Sequence, residues 1–248
     1  MSTFEELVAE GSRVPVEGWD FSWFSGRATE ERPPWGYARM MADRMAGARR
    51  ALDLQTGGGE VLSEVTAPPP VLVATEGWAP NAALAQRRLP HAVVVCVRED
   101  ADLPFPDDSF DLITSRHPVR TRFDEVARVL EPGGTYLSQQ VGPGSVRELT
   151  DAMMGPQPVG TGRDPARLRD EATACGLDVV DVRAARLRME FHDVAAVIVF
   201  LRKVIWTVPG FTVDRYRDRL RALHDRIEAD GAFIAHSTRF LLEARRPA

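Results

Sequence analysis

From Ala51 onward, short apolar runs alternate with stretches of helical spacing. ALDL (51–54), VLVATE (71–76), AVVVCV (92–97), FDLITS (110–115) and TYLSQQVG (135–142) have the length and β-branched content of strands. Between them, APNAALAQRRL (79–89) and FDEVARVL (123–130) read as helices. The strand runs are continuously apolar rather than alternating, so both faces of each strand need cover. Strand–helix alternation of this kind predicts βαβ units and a parallel sheet with helices on both faces.

The flanks read differently. Residues 1–45 are aromatic-rich, with Trp19, Phe21, Trp23, Phe24, Trp35 and Tyr37, and a helix is predicted over 35–45 after Pro33-Pro34. A Gly/Pro-rich linker is expected from Pro143 to about Pro165, then a helix (166–175) and a long strand (178–190). Two more helices follow. The first, 193–206, is apolar on several sides. The second places Val213, Tyr216, Leu220, Leu223 and Ile227 on one face. A last strand, 239–245, closes the chain.

Composition narrows the class. With 248 residues and 44% hydrophobic content the chain is neither disordered nor fibrous. Its longest uncharged apolar run, Val194 to Leu201, is too short to span a bilayer. The first residues carry Glu5, Glu6 and Glu10 and no secretory pattern, so a cytoplasmic protein without membrane attachment is expected. A net charge of −5 disfavours a nucleic-acid partner, although the net-basic stretch 161–248 keeps one open. Cys96, Cys175 and the five histidines show no ligand-like spacing, so no metal is expected.

The chemistry concentrates in three places. Leu52-Asp53-Leu54-Gln55-Thr56-Gly57-Gly58-Gly59-Glu60 is a strand that runs into glycines, where backbone amides can approach a ligand closely. A tight turn with no ligand would look the same. Glu76 ends the second strand, where an acid can accept hydrogen bonds from both hydroxyls of a ribose. A helix N-terminal acid held by the dipole is the plain alternative. The dinucleotide fingerprint G-x-G-x-x-G is not met, because the glycines fall at 57, 58 and 59. The fourth strand ends in Ser115-Arg116-His117-Pro118, and a histidine there could take a proton from an acceptor. A surface or supporting histidine that only caps the strand end is the competing role.

Two further segments complete the pattern: Glu99-Asp100-Ala101-Asp102-Leu103-Pro104-Phe105-Pro106-Asp107-Asp108-Ser109-Phe110-Asp111-Leu112-Ile113, and Glu125-Val126-Ala127-Arg128-Val129-Leu130-Glu131-Pro132-Gly133-Gly134. With the glycine loop and Glu76 they make four ordered matches over 51–142, which resemble the class I S-adenosylmethionine-dependent methyltransferases. Arg116-His117 with Gln139-Gln140 resembles a small bacterial branch of that family with mostly unassigned substrates.

The resemblance implies an α/β fold: a Rossmann-like seven-stranded, mostly parallel sheet with helices on both faces. It implies S-adenosylmethionine as cofactor and S-adenosylhomocysteine as product. By position, Asp53 would meet the methionine amine, and Gly57 and Gly59 would admit the methionine portion. Glu76 would bind the ribose, with Gly77 and Trp78 beside the adenine, and Glu99 and Asp100 would read the adenine. Gln55, where the family has glycine, and Arg116 join the cofactor-facing set, and His117 is the candidate general base.

A single domain over 1–248 is therefore expected, with an N-terminal cap (1–45), a cofactor core (51–142) and a helical insertion (192–230) between the last two strands. That insertion is placed to serve as a lid or an interface, and a homodimer is open. The partner expected is a small-molecule acceptor. The alternatives are an RNA methyltransferase and a non-catalytic cofactor-binding homologue.

Overall fold

In the computed structural model, which describes residues 2–16 and 18–248, the chain packs into two compact units. One comprises residues 33–142, 161–185 and 239–248. The other comprises residues up to 32, 143–160 and 186–238.

The first unit holds the parallel strands β2 (Arg50–Leu54), β3 (Val71–Glu76), β4 (Val93–Cys96), β5 (Phe110–Arg116) and β6 (Leu130–Val141). They arise where the apolar runs predicted them. Helices α2 (Tyr37–Gly47), α3 (Ala79–Arg88), α4 (Phe123–Val129) and α6 (Pro165–Ala174) cover them. On β2, Leu52 and Leu54 join a core with Phe123, Val126 and Leu168, while Ala51 joins a second core with Met41, Met45 and Ala85. That two-sided burial is why the strand reads as unbroken apolar sequence.

The strand order is β1-β7-β8-β6-β5-β2-β3-β4, where β1 is Ala28–Glu30, β7 is Asp178–Phe191 and β8 is Phe233–Arg245. The sheet therefore has eight strands rather than the expected seven. The added one, β1, is three residues long, pairs antiparallel with β7 through Ala28↔Phe191, and has too little apolar content to show in a hydropathy pattern. The C-terminal half of β8 runs antiparallel to β6, from Thr135↔Arg245 to Val141↔Arg239. Chain order reverses between β2, which leads outward to β3 and β4, and its other neighbour β5. In open sheets the crevice at such a switch point, at the carboxyl ends of the strands, is where ligands lie.

Residues 131–134 do not simply turn the chain into β6. Register passes from Phe110↔Leu130 to Leu112↔Thr135, so the turn-like PGG segment is an excursion within one long strand.

The second unit is mainly helical. Helix α1 (Phe4–Arg13) is closed by a capping box in which Thr3 and Glu6 bond reciprocally. Between β7 and β8 come α7 (Val194–Lys203) and α8 (Arg217–Asp230). Every residue of α7 from Val194 to Leu201 is buried, as its all-round apolar sequence requires, so this helix is core rather than exposed cover. Arg202 donates to the carbonyl oxygens of Gly11 and Val14 at the end of α1. The expected linker after Pro143 contains α5 (Arg147–Met154), whose Leu149 and Met153 are buried. No helix among the described residues is long and apolar enough to cross a membrane.

Helices α1 and α7 pack so closely at Gly11 that an added Cβ would stand 2.9 Å from the Ala195 carbonyl oxygen. Gly11→Val should therefore cost about 2–3 kcal/mol through overpacking, read as a lower midpoint in denaturant unfolding.

Candidate active site

The switch-point crevice collects the predicted residues at adjacent strand ends. Asp53 is buried at the end of β2, opposite Thr114 of β5, whose hydroxyl donates to it at 2.5 Å. No cation pairs with it among the described residues. Burial pushes its carboxyl up to about 6, with hydroxyl hydrogen bonds pulling the other way. A strand-end carboxylate in that position is short of a positive partner.

Glu76, at the end of β3, spans two backbone amides. Its oxygens accept from Gly57 N at 2.8 Å and Trp78 N at 2.9 Å, which fixes the glycine loop to the next strand. Trp78 is 52% exposed, so its indole is free to meet a planar ligand. Glu99 lies beside Gly77, its Oε2 3.2 Å from where a Cβ on that glycine would stand. Asp100 faces elsewhere: its carboxylate takes both Nε and a terminal nitrogen of Arg98, at 2.9 and 2.7 Å. Of the two adenine candidates, Glu99 lines the crevice.

The glycines divide their work. Gly57 has φ +65° and donates to Glu76. Gly59, at φ +78°, is required by packing, since a Cβ there would press on Leu89, which caps the end of α3, at 2.9 Å.

Gln55 and His117 each follow a strand end and each sit in the left-handed region, at φ +55° and +54°. Side chains rarely settle there, and glycine would at no cost. Gln55 is held by both ends of its amide. Oε1 accepts from Val119 N at 2.7 Å, and Nε2 donates to Arg120 O at 2.6 Å. It thus ties the glycine loop to the segment after β5. Gln55, Thr75, Val97, Glu99, Arg120 and Arg122 line a small cavity of about 30 Å³.

His117 lies beside Gln139 of β6, which in turn accepts from Trp35 Nε1. Arg116 is exposed at the end of β5. Gln139 belongs to the Gln139-Gln140 pair already read with Arg116-His117, whereas Trp35, noted only as one of the N-terminal aromatics, and Thr114 are site residues that no motif marked. No group of three or more His, Cys, Asp or Glu able to hold a metal occurs among the described residues.

Two matched segments prove to be architectural. Glu125 accepts from Leu103 N, and Arg128 donates to Leu103 O and Phe105 O, so the helix after β5 clamps the loop before it. Asp111 accepts from the backbone amides of Arg49 and Arg50.

Residues 52–138 match a family described as a methyltransferase domain. Among solved structures, the YcgJ protein of Bacillus subtilis is 17% identical, with 86% of this chain and 98% of that chain covered and a TM-score of 0.61. A Bacillus halodurans protein assigned to the methyltransferases is 15% identical over 84% and 98%, with a TM-score of 0.58. A Haemonchus contortus phosphoethanolamine N-methyltransferase, solved with phosphomonomethylethanolamine and S-adenosylhomocysteine, is 17% identical over 86% of this chain and 53% of that one, with a TM-score of 0.51. None of the curated proteins matches the sequence.

Asp53 makes a signed prediction. Its folded pKa lies above the 3.8 of an ordinary Asp, so ionising it costs stability as pH rises from about 4 to about 6. Asp53→Asn should therefore gain about 2 kcal/mol more over wild type at pH 8 than at pH 4.5, measured by denaturant unfolding at both. Gln55→Gly should relieve the backbone and release the segment after β5, seen as faster amide exchange at Val119 with the strand amides unchanged.

Proposed function

We propose that this protein transfers the methyl group of S-adenosylmethionine to a small-molecule acceptor, because residues 52–138 match a methyltransferase domain and the fold is similar to that of solved methyltransferases. The observation that carries this is the pair of carboxylates flanking the glycine loop: Asp53, buried without a cation, and Glu76, anchored on two loop amides. The donor set fits the cofactor's chemistry. Asp53 would take the methionine ammonium and Glu76 the ribose hydroxyls. Glu99 would face the adenine amine, and Trp78 the flat of the ring.

A bound sulfonium supplies an already activated methyl group, so the protein's own work is alignment and exclusion of water. Strands β2, β3 and β5 provide rigid mounts for that alignment. Gln55, bonded to Val119 and Arg120, stands where the methyltransferases that this chain resembles have glycine. That departure also supports a second reading, in which the protein is a homologue that binds the cofactor weakly and transfers nothing. Nucleic acid is a weaker candidate for the acceptor, since the chain is net acidic.

Isothermal calorimetry with S-adenosylmethionine and S-adenosylhomocysteine tests the proposal. Wild type should bind both, and Glu76→Ala should bind at least about tenfold more weakly through loss of hydrogen bonds to a charged group. Absence of binding by wild type would exclude methyl transfer. Binding without turnover on any acceptor would favour the non-catalytic reading.

A further inference from the structure

Trp35, Gln139 and His117 form a hydrogen-bonded chain whose polarity is forced. Trp35 Nε1 donates to Gln139 Oε1 at 2.8 Å, and Gln139 Nε2 lies 3.0 Å from His117 Nε2. An indole N–H can only donate, so the carboxamide cannot turn over. Its NH₂ group must then donate, and His117 Nε2 must accept. The imidazole is therefore neutral, with its proton on Nδ1. Protonating Nε2 would set N–H against N–H. The ring offers an N–H donor rather than a free lone pair.

Positive charge reaches the ring from three arginines. The charges that reach the imidazole are Arg116, Arg239 and Arg163, which act with burial to hold it well below the usual histidine range. Strand register places two of them: Arg116 stands opposite Gln139, and Arg239 opposite Val141 two residues along β6. Arg163 directly precedes Asp164, the N-cap of α6. Arg116 and Arg163 have no acidic partner among the described residues. Arg163 is also partly buried, enough to pull its guanidinium below the ordinary value. A desolvated cation without a carboxylate is costly, and an anion from outside the chain would relieve it.

We propose that Arg116, Arg163 and the Nδ1–H of His117 form a receptor for an anionic oxygen group, a carboxylate or a phosphate, carried by the methyl acceptor. Trp35 and Gln139 are the positioning residues that hold the imidazole as a donor. In this arrangement His117 orients the acceptor and does not take its proton, in place of the base role expected from sequence. The word acceptor rests on the proposed methyl transfer, whereas the anion receptor itself does not.

Long-range ¹H–¹⁵N NMR of the His117 ring in the full chain tests the donor. Wild type should show a neutral ring protonated on Nδ1 from about pH 8 to below the usual histidine pKa of about 6.5. Gln139→Glu, whose carboxylate can accept from both neighbours, should move the proton to Nε2 and raise the imidazole pKa. An Nε2–H tautomer in wild type overturns the proposal without any variant.

Inorganic phosphate and acetate, titrated separately at constant ionic strength, test the receptor. A saturable shift of the His117 Nδ1 resonance by phosphate points to a phosphorylated acceptor, and by acetate to a carboxylate. Arg116→Gln and Arg163→Gln should each weaken it about tenfold, as loss of a charged hydrogen bond does, while Arg87→Gln on the exposed side of α3 should not. A linear response to both anions overturns the receptor. S-adenosylhomocysteine binding measured on the same samples separates the two ideas: binding with no anion response removes only the receptor, and an anion response without binding removes only the methyl-transfer reading.

Discussion

A carboxylate buried at the end of a central strand sets the terms for the crevice. Asp53 is 6% exposed and its direct support from the neighbouring strand is the hydroxyl of Thr114. Ionising such a group is expensive unless charge or hydrogen bonds compensate it. The surrounding geometry is built on β2, the strand that bears it: Thr114 is in register on one side and Ala74 on the other. The glycine loop that leaves β2 is then pinned by Glu76 from β3.

The segments that make the chain recognisable in sequence mostly hold the frame. Glu125 and Arg128 clamp the loop before β5, Asp111 fastens the start of β2, and Gly59 lets α3 approach the glycine loop. They are legible because backbone groups in a fixed loop demand a carboxylate or a guanidinium at fixed spacing. The residues that line the crevice are fewer and less patterned. Gln55 stands where the resemblance leads one to expect glycine, and its left-handed backbone is the geometry a glycine adopts freely.

Gln55 and His117 illustrate how one strained geometry can serve two ends. Both follow adjacent strands and both adopt positive φ. In each case a side-chain amide supplies the hydrogen bonds that hold the arrangement: Gln55 through its own, His117 through that of Gln139. Strain of this kind persists only where the surroundings over-determine it.

The sequence by itself determined the parallel strands β2 to β6, their helices, the two-sided burial and the positions of Asp53, Glu76 and the glycine loop. Apolar periodicity and glycine placement are local properties, and they survive in a one-dimensional reading. Some elements were not read: β1 is three residues of mixed character, α5 follows Pro143 and Gly144, and α1 lies in the flank read only as aromatic-rich, although Phe4, Leu7 and Val8 stand at helical spacing behind its Thr3–Glu6 capping box. Only the tertiary structure decided which strand end faces which, and so joined Trp35 to Gln139 and Gln55 to Arg120. Those partners are 104 and 65 residues apart. No propensity or spacing links residues so distant, because it is the sheet's register, fixed by the packing of both its faces, that brings them together.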